Sequence, residues 1–207
     1  MRNLLALVLA LGLSSCAAMR PNTSVITAPA ADWRSVATSR DRERLRDWRD
    51  AFASALKAAR AAGHAQSIGA EGSLLEPDAA LAGPAIPNGD YRCRVIKLGA
   101  KSEGMLDYVA YPAFICRISA EGRVQRLAEL TGSQRYVGLI FASDALRHVF
   151  LGTIVLGDER RAMHYGRDAE RDVAAFVERI GPNRWRMLMP RPHFESQIDV
   201  LELVPTS

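Results

Sequence analysis

The strongest constraint on this chain lies between Asp90 and Val204, where short alternating apolar runs are cut repeatedly by turn residues. Tyr91 to Leu98, Ala113 to Ser119, Arg123 to Leu130, Gln134 to Ala142, His148 to Leu156, Asp172 to Ile180, Arg184 to Met189 and Gln197 to Val204 each read as a strand. Ala120-Glu121-Gly122 and Gly181-Pro182-Asn183 supply tight turns between two of the pairs. No helical period separates the runs, so the long crossovers that parallel strands require have no room. The expectation is a mainly β fold with an N-terminal helix. Its about eight antiparallel strands form a meander that closes as a small barrel or packs as a two-sheet sandwich. At about eight strands, closure leaves an interior that side chains fill or that holds one small ligand.

Alternation also assigns faces. Tyr91, Cys93 and Val95 share one face of the first run, while Arg92 and Arg94 take the other. Phe114, Cys116 and Ile118 share a face of the second, opposite Arg117. Both cysteines therefore point inward on strands that can be neighbours. The expectation is a Cys93–Cys116 disulfide, worth about 3 kcal/mol by loop closure. The competing reading is a pair of buried thiols packing as small hydrophobes.

The third cysteine, Cys16, ends a different kind of segment. Arg2 precedes an apolar run from Leu4 to Leu13, and Leu13-Ser14-Ser15-Cys16 follows. This reads as a signal peptide over residues 1–15, too short for the roughly 20 apolar residues of a spanning helix. Its last four residues resemble a bacterial lipobox. That resemblance implies lipid attachment at Cys16, a periplasm-facing lipoprotein and, with Ala17 next, outer-membrane retention. The alternative is an ordinary signal with Cys16 incidental. Residues 16–38 lack a period and read as a flexible tether. Residues 39–63 read as an amphipathic helix, with Leu45, Trp48, Phe52, Leu56 and Ala59 on one stripe, Ser39 as its cap and Gly63 at its end. Residues 64–89, rich in Gly and Pro, read as a connector with one short helical turn over Glu76 to Leu81, and residues 90–207 as the barrel-like domain.

Chemistry is sparse. His64, His148, His164 and His193 are scattered, with no metal-ligand spacing, and no metal is expected. No GxSxG is present, and Ser133 in Thr131-Gly132-Ser133 reads as a turn residue. No glycine-rich loop joins a strand to a helix, so no phosphate-bearing cofactor is implied. No catalytic residue is assigned. The richest polar stretch is the loop 157–171. Asp158, His164, Tyr165, Arg167 and Asp168, with Arg135, are the candidate ligand-binding residues, since cations beside an aromatic suit a carboxylate, phosphate or sugar. The competing reading is a solvated loop or a cover over one barrel end. A net charge of +4 from 27 basic and 23 acidic residues is too mixed to indicate nucleic acid.

Tyr91-Arg92-Cys93-Arg94, Phe114 with Cys116-Arg117, Leu130-Thr131-Gly132-Ser133-Gln134-Arg135, Phe150-Leu151-Gly152, Tyr165-Gly166-Arg167-Asp168, Asp172 with Glu178-Arg179-Ile180-Gly181, and Arg184-Trp185-Arg186 together resemble the uncharacterised bacterial lipoprotein family called domain of unknown function 4893. The resemblance runs from about Arg40 to the C-terminus and implies no activity. As a fold, a meander behind a lipid anchor is similar to lipocalin-like barrels and to small barrel protease-inhibitor lipoproteins. Three readings of function follow. One is a non-catalytic binding or structural module for a small ligand or an envelope protein. A second is an envelope hydrolase acting on cell-wall or glycan substrates through the loop 157–171. A third is a scaffold that docks through its helix.

Overall fold

The structure is a computed structural model that describes residues 32–206. The signal segment, Cys16 and the first part of the tether lie outside the described residues. Nine strands are present: β1 (Gly89–Ala100), β2 (Tyr108–Ala110), β3 (Phe114–Glu121), β4 (Val124–Glu129), β5 (Gln134–Ala142), β6 (Arg147–Leu156), β7 (Asp172–Gly181), β8 (Arg184–Pro190) and β9 (Ser196–Pro205). Each strand pairs antiparallel with its sheet neighbours, in the order β2-β1-β3-β4-β5-β6-β7-β8-β9, and β1 also pairs with β9. That last pairing, from Tyr91↔Pro205 to Ala100↔Ser196, closes an eight-stranded barrel and decides against a sandwich. The short β2 was not legible as a strand. It lies along the far half of β1, beyond the stretch paired with β3.

The inward parity is as expected. Tyr91, Cys93 and Val95 join Cys116, Ile118, Leu127, Ile140, Phe150, Trp185, Met187, Leu201 and Leu203 in one interior cluster. Cys93 and Cys116 form a disulfide inside the barrel, with Cα atoms 6.0 Å apart. Gly138 and Gly152 face each other across β5 and β6. A Cβ at Gly138 would meet the Leu151 carbonyl at 2.4 Å and the Phe150 ring at 2.7 Å, so the glycine pair makes the space that Phe150 fills.

Helices cover two arcs of the outer wall. In the first, α1 (Trp33–Val36) and α2 (Ser39–Arg46) place Trp33, Ala37 and Leu45 against Val137, Leu139, Val149 and Leu151 of β5 and β6. In the second, α3 (Trp48–Ala59) lays Phe52, Ala55, Leu56 and Ala59 on Ile96, Leu98, Leu188, Ile198 and Val200 of β1, β8 and β9. Because β5 to β9 are covered on both faces, they show runs of consecutive buried residues. β3 keeps the in–out alternation of a strand with one face in water.

Several boundaries differ from expectation. Within the expected tether, Trp33 is already docked: it is buried and donates from Nε1 to Ser143 Oγ at 3.2 Å. The helix cap is Thr38 rather than Ser39, its hydroxyl accepting from Asp41 N–H at 3.1 Å. The predicted helix breaks at Asp47, which lets Leu45 reach one arc and Phe52 the other. It leaves α-geometry after Ala59, passes a left-handed Gly63 and resumes as α4 (Ala65–Ala70). The helical turn in the connector is Gly72–Leu75, not Glu76 to Leu81. Arginines fix this connector to the wall. Arg186, fully buried and paired with Glu178 at 2.7 Å, donates to the carbonyls of Ser73, Leu74, Glu76 and Pro77. Those bonds satisfy backbone carbonyl acceptors that no strand ladder pairs.

Candidate functional site at the open end of the barrel

The connector ends as a plug. Ile86 enters the interior cluster, its carbonyl accepts from Gln125 Nε2 at 2.7 Å, and Tyr91 Oη donates to Pro87 O at 2.7 Å. This closes the barrel end where β1 starts and β9 finishes.

The opposite end is open. A pocket of about 410 Å³ is lined by Val95, Lys97, Tyr111, Phe114, Glu129 and Tyr136, with Thr131 to Gln134 along its rim. Two strands supply the charged wall, and Asp199 on a third backs Lys97. Lys97 on β1, Glu129 on β4 and Asp199 on β9 hold inward positions, and they are 7%, 6% and 1% exposed. Lys97 Nζ lies 2.8 Å from Glu195 Oε2 and 3.5 Å from Asp199 Oδ2. Asp199 also accepts from Tyr136 Oη at 3.3 Å and from Ser196 Oγ. Burial alone would lower the Lys97 pKa, but Asp199 and Glu195 outweigh it and hold the ammonium charged.

Glu129 is different. Its Oε2 accepts the Tyr136 backbone N–H at 3.1 Å, and among the described residues no cation pairs with it. Burial pushes its pKa up to about 8, with only partial relief from Tyr136 N–H and the charge of Arg135. It is therefore a neutral acid at neutral pH, able to donate a hydrogen bond into the pocket.

None of the six sequence candidates lines this pocket. Arg135 donates to the carbonyls of Gly132, Gly157 and Glu159 at 2.7 to 2.8 Å, which ties the loop 157–171 to the barrel. Tyr165 donates to Asp41 and accepts from Thr38 N–H at 3.0 Å, joining the loop to α2. Asp168 accepts from Glu170 N–H and lies 3.4 Å from Arg171. Asp158, His164 and Arg167 are exposed and converge on nothing. The contacts of Arg135, Tyr165 and Asp168 are those of a loop held over the barrel wall, the role weighed against ligand binding. The pocket did have a sequence signal. Lys97 shares its parity with Cys93 and Val95, Glu129 with Leu127, and Asp199 with Leu201. Charged residues at inward positions were the mark of a site.

A family model described as Domain of unknown function (DUF4893) matches residues 33–203. The chain belongs to this family. No curated protein and no solved structure matches it. The family match begins at Trp33, the first residue docked on the wall, and so spans the covering helices and the barrel together.

Proposed function

We propose that this DUF4893 protein is a lipid-anchored cell-envelope protein whose barrel binds a small ligand through its open end, without catalysing a reaction. The observation that carries the reading is the pocket. It has the volume of a small-molecule site, an apolar and aromatic wall, and a few buried polar groups from separate strands. Burying those groups is costly, and a structural barrel would gain more from apolar residues there. The plug at the other end needs no such groups. The address rests on Arg2, the apolar run to Leu13 and Leu13-Ser14-Ser15-Cys16, and the Cys93–Cys116 disulfide suits an oxidising compartment.

The hydrolase reading depended on a converging set of groups in the loop 157–171. Arg135, Tyr165 and Asp168 are engaged in holding that loop, while Asp158, His164 and Arg167 face solvent, so this reading has no geometric support. The scaffold reading needed a free apolar helix face, and that face is occupied by the barrel.

Native mass spectrometry of the full chain, extracted from envelopes in mild detergent, tests the binding reading. A small molecule is expected to copurify, and Ala113→Trp at the exposed rim is expected to reduce its occupancy at least about tenfold, the equivalent of 1.4 kcal/mol. Occupancy unchanged by that bulk would contradict the pocket as the site. Incorporation of labelled palmitate into the wild type and not into Cys16→Ser tests the anchor.

A further inference from the structure

We infer that the ligand of the open end is a small organic cation with an apolar body, an alkyl- or arylammonium, whose charged head pairs with Glu129. The inference rests on the binding role just proposed.

Of Lys97 and Glu129 in the wall, Glu129 is the one without an ion-pair partner among the described residues. Every cation near it is committed elsewhere. Lys97 is held by Glu195 and Asp199, and the Arg135 guanidinium by three loop carbonyls. The pocket wall itself holds one carboxyl, Glu129, and one ammonium, Lys97, and that ammonium is already balanced by Glu195 and Asp199 beside the pocket. An anionic ligand would find no uncommitted cation in the wall among the described residues. An ammonium would supply the partner that Glu129 lacks. The remaining wall suits the same ligand: Tyr111, Phe114 and Tyr136 contribute aromatic rings to the lining, and Val95 and Pro112 offer contact to its apolar body.

Proton exchange follows. Burial keeps Glu129 protonated at neutral pH, so a cation that pairs with its carboxylate must displace that proton. Lys97, held charged by its two acids, and Tyr136, pushed well above 10 by burial and by Asp199, keep their protons over the same range. Affinity for the cation should rise about tenfold per pH unit below the Glu129 pKa and level off above it.

Calorimetry on the full chain with 2-phenylethylammonium, 2-phenylethanol and phenylacetate separates the possibilities. The ammonium is expected to bind at least about tenfold more tightly than the alcohol, with phenylacetate weakest. In two buffers of different ionisation enthalpy, ammonium binding at neutral pH should release about one proton, and almost none well above the Glu129 pKa. Glu129→Gln should abolish proton release and bring ammonium binding down to that of the alcohol measured on the same variant. Glu129→Asp, which keeps an ionisable carboxyl, should retain part of both. Equal binding of ammonium and alcohol, indifferent to Glu129→Gln, would overturn the cation assignment and leave the binding role standing. Tightest binding of phenylacetate would also overturn it. No binding of any probe would overturn both.

Discussion

The two ends of the barrel solve the same problem differently. At the plugged end the connector carries Ile86 inward, Tyr91 and Trp185 pack edge to face at 6.1 Å, and the polar groups of the plug are bonded to strand termini. At the open end no segment of the described residues enters. Lys97, Glu129, Tyr136 and Asp199 occupy inward positions that apolar residues hold elsewhere in the same strands. The difference teaches where to look for function. The plugged end resembles an ordinary core built on apolar area, with the Ile86 carbonyl and the Tyr91 hydroxyl hydrogen-bonded and the buried Trp185 indole N–H left without a partner among the described residues. The open end retains ionisable groups that weaken folding, and one of them lacks a counter-ion.

The largest test of that contrast is pH. The Glu129 pKa is raised from 4.5 in its ordinary state to about 8 in the fold. At low pH both folded and unfolded chains hold the proton and nothing is lost. As pH climbs through the unfolded value the unfolded chain ionises first, so stability falls until the folded group ionises near 8. The loss is at most on the order of 5 kcal/mol. Asp172, raised to about 6 chiefly by burial outside the barrel, adds to the lower part of the same decline. Urea titrations of Glu129→Gln across this range should show a flatter profile, with the gain over wild type largest toward pH 8. Parallel profiles would place Glu129 in water and remove the contrast.

Lys97→Met should destabilise by about 3–5 kcal/mol, because it leaves Asp199 and Glu195 without their cation. Chemical denaturation at neutral pH measures it, and a shift under 1 kcal/mol would mean that the mouth is wet enough to behave as surface. At the other end, Ile86→Ala should cost about 3 kcal/mol through the cavity it leaves, with probe binding at the mouth unchanged. Binding that weakens in step with stability would show the two ends to be one unit. The smallest effects belong to the loop. His164→Ala and Arg167→Ala should stay within about 0.5 kcal/mol of wild type and leave binding intact.

How much of this was legible differs between the wall and the site. Strand positions from Tyr91 to Val204 and the inward pairing of Cys93 with Cys116 follow from period-2 alternation, a local property. β2 escaped because Tyr108-Val109-Ala110 is too short to alternate visibly. The break of the helix at Asp47 escaped because the apolar stripe runs through it, while the division of that stripe between two arcs depends on barrel curvature. The site escaped for a further reason. A polar loop such as 157–171 stands out in a sequence, whereas Lys97, Glu129 and Asp199 are single charges in apolar runs, separated by up to about a hundred positions and joined only when β1 closes on β9. The loop's Arg135, Tyr165 and Asp168 are used in holding it to its neighbours.

The most direct measurement is chemical-shift mapping of the folded chain during titration with 2-phenylethylammonium. Saturable shifts are predicted at Val95, Phe114, Thr131 and Tyr136, with the plug residue Ile86 and the loop residues Asp158, His164 and Arg167 unmoved. Shifts centred on the loop, or none at the open end, would contradict the assignment of that end as the binding site.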